Sequence, residues 1–302
     1  MRRGLTLALI LLALAAVPAA AWTHAHVLTA PATNLAADAP ATAIAVAARP
    51  GDCDHVELWN WQTNRSVRLG RARPCGPATS TGSGLAAVSY AGGRTLWLTY
   101  VGGNIREWSL WTATWTRSQP RLVRFVARGV DAPPPIVLGP ANLTRLAYAV
   151  DRTVIGLDMT GKRMFSWTAP AKVTAVAVGT GTWVAVAGGG LYELNERGRP
   201  IEFPSLDGDA TALVHDGIGI FAQIGRLLEA RIGGTTASYR LPQGARLVDA
   251  AAAKAVYVVD GRVHVHDFSS GRDVSYPGTA AAVEDRALLV ANGRQITIRP
   301  LA

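Results

Sequence analysis

Lysine, cysteine, methionine and charge are all scarce in this sequence. Of its 30 Lys and Arg side chains only Lys162, Lys172 and Lys254 are lysine, so cationic recognition falls to arginine and its planar, bidentate fork. Two cysteines are too few for a disulfide scaffold. Charged residues are only 17% and apolar residues 49%, which excludes a disordered chain, since such chains lack the apolar surface that offsets ordering entropy. Helical periodicity is almost absent, which excludes a helical bundle. Beyond the first segment no apolar run reaches the ~20 residues a spanning helix needs. No G-x-S-x-G, H-E-x-x-H or P-loop occurs, so those hydrolase, metalloprotease and nucleotide-binding classes have no support.

What is present begins with an address. Arg2 and Arg3 precede an unbroken apolar run from Leu5 to Val17, Pro18 breaks it, and Ala19-Ala20-Ala21 supplies small residues for cleavage. The expectation is a signal peptide over 1–21, cleaved after Ala21, and one exported domain over 22–302. No cysteine lies near that site, so a lipoprotein anchor is excluded. Export permits disulfides. Cys53 and Cys75 are expected to bridge, closing a loop of 22 positions, for which loop-closure arithmetic gives ~3 kcal/mol.

The mature chain reads as short strands cut by Gly, Asp, Asn and Pro, and it repeats. The clearest unit is Ala245 to Pro277, with strands over Arg246–Ala251, Ala255–Val259, Arg262–Phe268 and Asp273–Tyr276. Asp260-Gly261 is its hairpin turn, where positive φ is required. The same order recurs over Leu35–Arg71, Gly84–Arg128, Pro135–Pro170, Lys172–Pro204 and Ala210–Pro242. The second copy is longer, with an insertion expected around Thr112 to Pro120. The last copy supplies only three strands before Ala302, and His24–Leu28 is the candidate for its fourth. These copies predict an all-β, seven-bladed β-propeller of four-stranded antiparallel blades, its last blade closed by an N-terminal strand.

Gly156-Leu157-Asp158-Met159-Thr160-Gly161-Lys162 followed by Trp167, and Gly189 to Leu194, resemble quinoprotein-like repeats. Val256-Tyr257-Val258-Val259-Asp260-Gly261 resembles the YVTN and WD40-like repeats of bacterial propellers. The resemblance implies a blade and no particular activity. Quinoprotein dehydrogenases carry adjacent cysteines near their cofactor, and Cys53 and Cys75 are far apart, so no cofactor is expected. Asp249, Asp260, Asp267 and Asp273 sit at turns or strand ends, where Asp caps backbone amides. His264 and His266 alternate and share a strand face, as do His24 and His26, and exposed strand histidines are the plain expectation. Cleavage after Ala21 would place His24 third, where a free terminus and imidazole can hold Cu(II) or Ni(II). It is the one weak metal candidate.

Charge placement is the strongest functional signal. Between Trp61 and Val130 lie ten arginines against one acid, Glu107, and five of the nine tryptophans. Arg65, Arg68, Arg106, Arg121 and Arg124, with Trp108, Trp111 and Trp115, form a candidate surface for an acidic partner. Neighbouring blades would gather these charges into one sector. The alternative is an arginine-rich composition with tryptophan as blade filler, and both stay open. The functional expectation is an exported, non-enzymatic, monomeric propeller that binds a protein or anionic envelope polymer and no nucleic acid. The alternative is a propeller hydrolase, lyase or oxidoreductase with its site in the central channel.

Overall fold

Short apolar runs bounded by turn residues make 28 strands in the computed structural model, which describes residues 25–47, 53–70, 82–141 and 144–301. The strands form seven four-stranded antiparallel sheets. Blade 1 holds β2 (Ala32–Asp38), β3 (Ala41–Val46), β4 (His55–Asn60) and β5 (Arg65–Leu69). Blade 2 holds β6 (Ser83–Ala91), β7 (Arg94–Val101), β8 (Ile105–Thr114) and β9 (Arg121–Gly129). Blade 3 runs from β10 (Ile136–Leu138) through β11 (Arg145–Val150) and β12 (Thr153–Asp158) to β13 (Arg163–Thr168). Blade 4 comprises β14 (Val173–Val178), β15 (Thr182–Val186), β16 (Leu191–Leu194) and β17 (Pro200–Phe203). Blade 5 comprises β18 (Ala212–His215), β19 (Gly219–Ile224), β20 (Leu227–Ile232) and β21 (Thr235–Arg240). Blade 6 comprises β22 (Arg246–Ala251), β23 (Lys254–Val259), β24 (Arg262–Asp267) and β25 (Arg272–Pro277).

Blade 7 takes β26 (Ala280–Glu284), β27 (Ala287–Asn292) and β28 (Gln295–Pro300) from the C-terminal end and β1 (Ala25–Val27) from the N-terminal end. Its order is β1-β28-β27-β26, with Ala25 opposite Thr297 and Val27 opposite Gln295. This is the shared blade expected from the incomplete last repeat. The expected insertion in blade 2 is corrected in part: Thr112 to Thr114 continue β8, so blade 2 is a sheet of longer strands and not a normal blade with a long loop.

Each blade's first strand is innermost and touches the first strands of its neighbours around a closed ring. Space near the axis is tight, and the inner strands answer with small side chains, as in the Ala-Ala-Ala-Val-Glu of β26. Middle strands are the most buried, and β3 is buried throughout. The core is a ring of clusters between blades: Trp59 with Leu289 at the blade 7–1 seam, Leu58 with Trp97 between blades 1 and 2, Phe221 with Tyr257 between blades 5 and 6. Blades 3 and 4 pack tightly at Gly139, where a Cβ would lie 1.5 Å from the Val176 carbonyl oxygen. Asp260-Gly261 turns with both φ positive, 49° and 71°, as its sequence required.

Candidate functional site

The arginine segment is best placed from strand register, because directly opposed residues share a sheet face. On β9, Arg121, Arg124, Val126 and Arg128 lie opposite Thr112, Leu110, Trp108 and Arg106. Trp108 and Leu110 pack in the cluster that contains Leu146 and Tyr148 of blade 3. That face of blade 2 therefore looks towards blade 3, and Arg106, Arg121, Arg124 and Arg128 stand along its outer half. Arg94 joins them, donating from Nε to the Met159 carbonyl at 2.7 Å. Arg121 reaches the Gly161 carbonyl at 3.3 Å, and Arg128 pairs with Asp151 at 2.6 Å. Arg124 is exposed.

Among the described residues, the arginines of blades 1 and 2 do not share one face. In blade 1, Arg65 lies opposite Asn60 and Arg68 opposite Glu57, one position of strand parity apart, so they leave opposite faces. Arg65 shares its face with Leu58, which packs against blade 2, whereas Arg68 shares its face with Trp59, which packs against blade 7. Alternation along β5 separates what proximity in sequence suggested. Arg71 and Arg73 lie outside the described residues.

The tryptophans sit deeper than a ligand platform requires. Trp108 is 3% exposed, inside the blade 2–3 cluster, and it offers no face to solvent. Trp111 and Trp115 are half-buried on the opposite side, packed on the cluster between blades 1 and 2. The Trp111 indole donates to the Thr99 hydroxyl at 3.1 Å. Exposed apolar groups replace them: Leu122 and Phe125, at 47% and 49%, alternate with the arginines along β9.

His26, His264 and His266 are corrected from exposed to packed. His264 and His266 do share a face, but it is pressed between blades 5 and 6. His266 stacks on Tyr239 with centroids 3.8 Å apart, and His264 stacks on Tyr257 at 4.8 Å. Asp273 collects the network: the Tyr239 hydroxyl donates to it at 2.8 Å, the Tyr257 hydroxyl at 3.2 Å, and His266 Nδ1 lies 3.2 Å away. Burial, with the Tyr239 hydrogen bond, pushes the Tyr257 phenol above its ordinary range. Asp273, read as a turn cap, instead pins blade 5 to blade 6. His26 Nε2 lies 2.6 Å from Glu57 Oε1 and stacks on Trp59 at 5.0 Å. His24 and Cys75 lie outside the described residues, so the metal candidate and the bridge from Cys53 do too. Among the described residues no three His, Cys, Asp or Glu form a metal-holding group, and no helix is long and apolar enough to cross a membrane.

The channel encloses about 630 Å³ and is polarised. At the mouth where inner strands begin, Arg246 donates to Asn34 Oδ1 at 3.4 Å. At the other mouth, acids tie neighbouring blades together at three seams, 1–2, 5–6 and 6–7. Asp249 accepts from the Val283 and Ala250 amides at 2.7 and 2.9 Å, Asp216 accepts from Ala253 at 3.0 Å, and Asp38 accepts from Gly92. Burial pushes Asp249 up to about 7 against those hydrogen bonds. Burial, then the charge of Asp38, pushes Glu284 up to about 7. Burial holds His215 below its ordinary value. The backbone-capping role read for Asp249 is correct, but one of its two amides, that of Val283, belongs to the next blade.

No family model matches this chain, and no curated protein sequence matches it. Solved structures do. A chain of the mitotic checkpoint complex aligns with a TM-score of 0.57 at 11% identity, covering 99% of both chains. The WD40 β-propeller domain of Doa1 aligns at 0.55 with 12% identity, covering 92% of this chain and 97% of that one. The chain has the fold of a seven-bladed β-propeller. This propeller also aligns at 0.55 and 11% identity with PorZ, an essential bacterial surface component of the type-IX secretion system of Porphyromonas gingivalis, covering 92% of this chain but 38% of that one. At such identities the likeness extends to fold alone.

Proposed function

We propose that this propeller is an exported, non-enzymatic scaffold that binds an acidic protein segment on the outer edge of blade 2. The observation that carries the reading is the row of Arg106, Arg121, Arg124 and Arg128 beside exposed Leu122 and Phe125. One of the similar structures is a chain of the mitotic checkpoint complex, which favours a protein partner over a wall polymer. The leader-like run from Leu5 to Val17 supports export. The channel supports the second reading, a propeller enzyme, through Asp249 and Glu284 raised to about 7. Against it, Asp38, Asp216 and Asp249 spend carboxylate oxygens on backbone amides between blades.

The test is capture of acidic proteins from envelope extract on immobilised mature protein. Arg121→Glu with Arg124→Glu is expected to reduce capture at least tenfold, and Arg240→Glu with Arg272→Glu, in blades 5 and 6, to leave it unchanged. Capture should also fall as salt rises from about 0.05 to about 0.5 M, roughly a threefold fall in Debye length. Equal effects of the two pairs refute the site. Capture of an anionic polysaccharide in place of protein refutes the partner class.

A further inference from the structure

The outer strands of the seven blades are not alike. β5, β13, β17, β21 and β25 have four to six residues and β1 has three, whereas β9 has nine. An outermost strand leaves alternate N–H and C=O groups unpaired along its free side, and length multiplies them. β9 is also the outer strand with two large exposed apolar side chains, while Met164, Ile201, Val274 and Val27 stand singly on β13, β17, β25 and β1. Proteins blunt such edges with charge, and β9 carries Arg121, Arg124 and Arg128 but no acid. Two copies of this strand laid together would oppose arginine to arginine. The same charges admit an acidic strand.

The two sides of β9 differ. Arg121, Arg124 and Arg128 share the side facing blade 3, and Leu122, Phe125 and Ala127 share the other, opposite Trp111, Ser109 and Glu107. A register shift between Leu110 and Trp111, with Val123 left over, keeps Arg121 and Arg124 on one side although they are three apart. Val101 and Ile105, 50% and 62% exposed, extend the apolar side within the same blade.

We infer that β9 receives an extended segment of a partner protein as a fifth strand of blade 2, and that this segment alternates acidic and apolar residues. Backbone hydrogen bonds supply the pairing, the acids meet the arginine side, and the apolar residues meet Leu122 and Phe125. Strand addition rests on the scaffold reading and specifies its binding mode.

The probe is a labelled synthetic peptide as long as β9, alternating glutamate and valine, titrated against the purified mature protein by fluorescence anisotropy. Three companions are a peptide of the same composition with glutamates and valines in blocks, and two peptides N-methylated on one or the other set of alternate residues. The expected result is saturable binding of the alternating peptide. Binding should weaken at least tenfold in the block peptide and in one N-methylated peptide, and persist in the other, whose methyl groups face away from β9. Leu122→Ser with Phe125→Ser should weaken binding at unchanged Tm. If all four peptides bind alike and Arg121→Glu with Arg124→Glu abolishes binding, strand addition is overturned and the acidic-partner reading stands. If none binds, and capture from extract is indifferent to the arginine reversals, both fall.

Discussion

His26→Ala tests how the ring is held shut. β1 contributes only three residues to blade 7, with Leu28 tied on by its amide to Arg294 O at 2.8 Å and by Arg294 Nε to Leu28 O at 2.9 Å. His26 then fastens this strand to blade 1 through Glu57 and Trp59. The side chains of His26 and Glu57 are 13% and 14% exposed, so their contact is neither fully desolvated nor freely screened. A hydrogen bond to a charged group contributes ~1.5–3 kcal/mol and a ring stack ~0.5–1.5. Water that rehydrates Glu57 returns part of this, leaving a loss of ~2–3 kcal/mol. For a chain of this size ~1 kcal/mol moves Tm by roughly 2 °C, so the shift is roughly 4–6 °C. His26→Phe keeps a ring on Trp59 and should fall between. A cycle with Glu57→Gln should return a coupling of at least ~1 kcal/mol. Burial raises the Glu57 carboxyl, but hydrogen bonds from His26 and Ser66 and the charges of His26 and His55 hold it below 4.5. Its contribution is present above that ordinary value and is lost as pH falls through the lowered one. His26→Ala should therefore flatten the acid limb of stability. Calorimetry and urea melts that show Tm within about 1 °C of the parent, with the acid limb intact, would refute the reasoning.

Four further outcomes are expected. Glu284→Gln removes a buried charge repelled by Asp38, Asp249 and Asp285 and keeps an acceptor for the Ala39 amide. It should raise stability by up to about 2 kcal/mol at pH 8 and not at pH 4, because a raised carboxyl loses stability between its unfolded and folded values; equal melting at pH 8 contradicts the repulsion. Gly139→Ala should cost ~3 kcal/mol or more by driving a Cβ into Val176, while Gly129→Ala, with open space around it, should be silent in urea melts. Ala252 and Ala253 turn with φ of 51° and 61°, so replacing them by Asn-Gly should stabilise by ~1 kcal/mol. Thiol titration of the denatured, unreduced mature protein should find no free thiol from Cys53 and Cys75, and two thiols would refute the bridge.

Blade order, strand limits and the shared last blade were legible because each depends on local pattern. Period-2 apolar runs and turns such as Asp260-Gly261 act within a few residues, and their count revealed the missing strand. The site was less legible because it depends on which face a side chain takes. Arg65 and Arg68 are near in sequence but leave opposite faces of β5, and the register shift at Val123 aligns Arg121 with Arg124 against simple alternation. Contacts across a seam were invisible for a related reason. Nothing in the spacing of His26 and Glu57, or of Tyr239 and Asp273, marks them as partners, because they meet only when neighbouring blades dock.

The split last blade also has a kinetic meaning. The pair His26–Ile296 spans 270 positions, so the chain must close its longest loop to form a pairing of only three residues. Local hairpins can form blades 1 to 6 in any order, but the seam waits for both ends. Seam contacts are then late in folding, and contacts absent from the transition state control the unfolding rate. Weakening β1 should accelerate unfolding while leaving refolding nearly unchanged, so the lifetime of the whole ring is set by the three residues of β1.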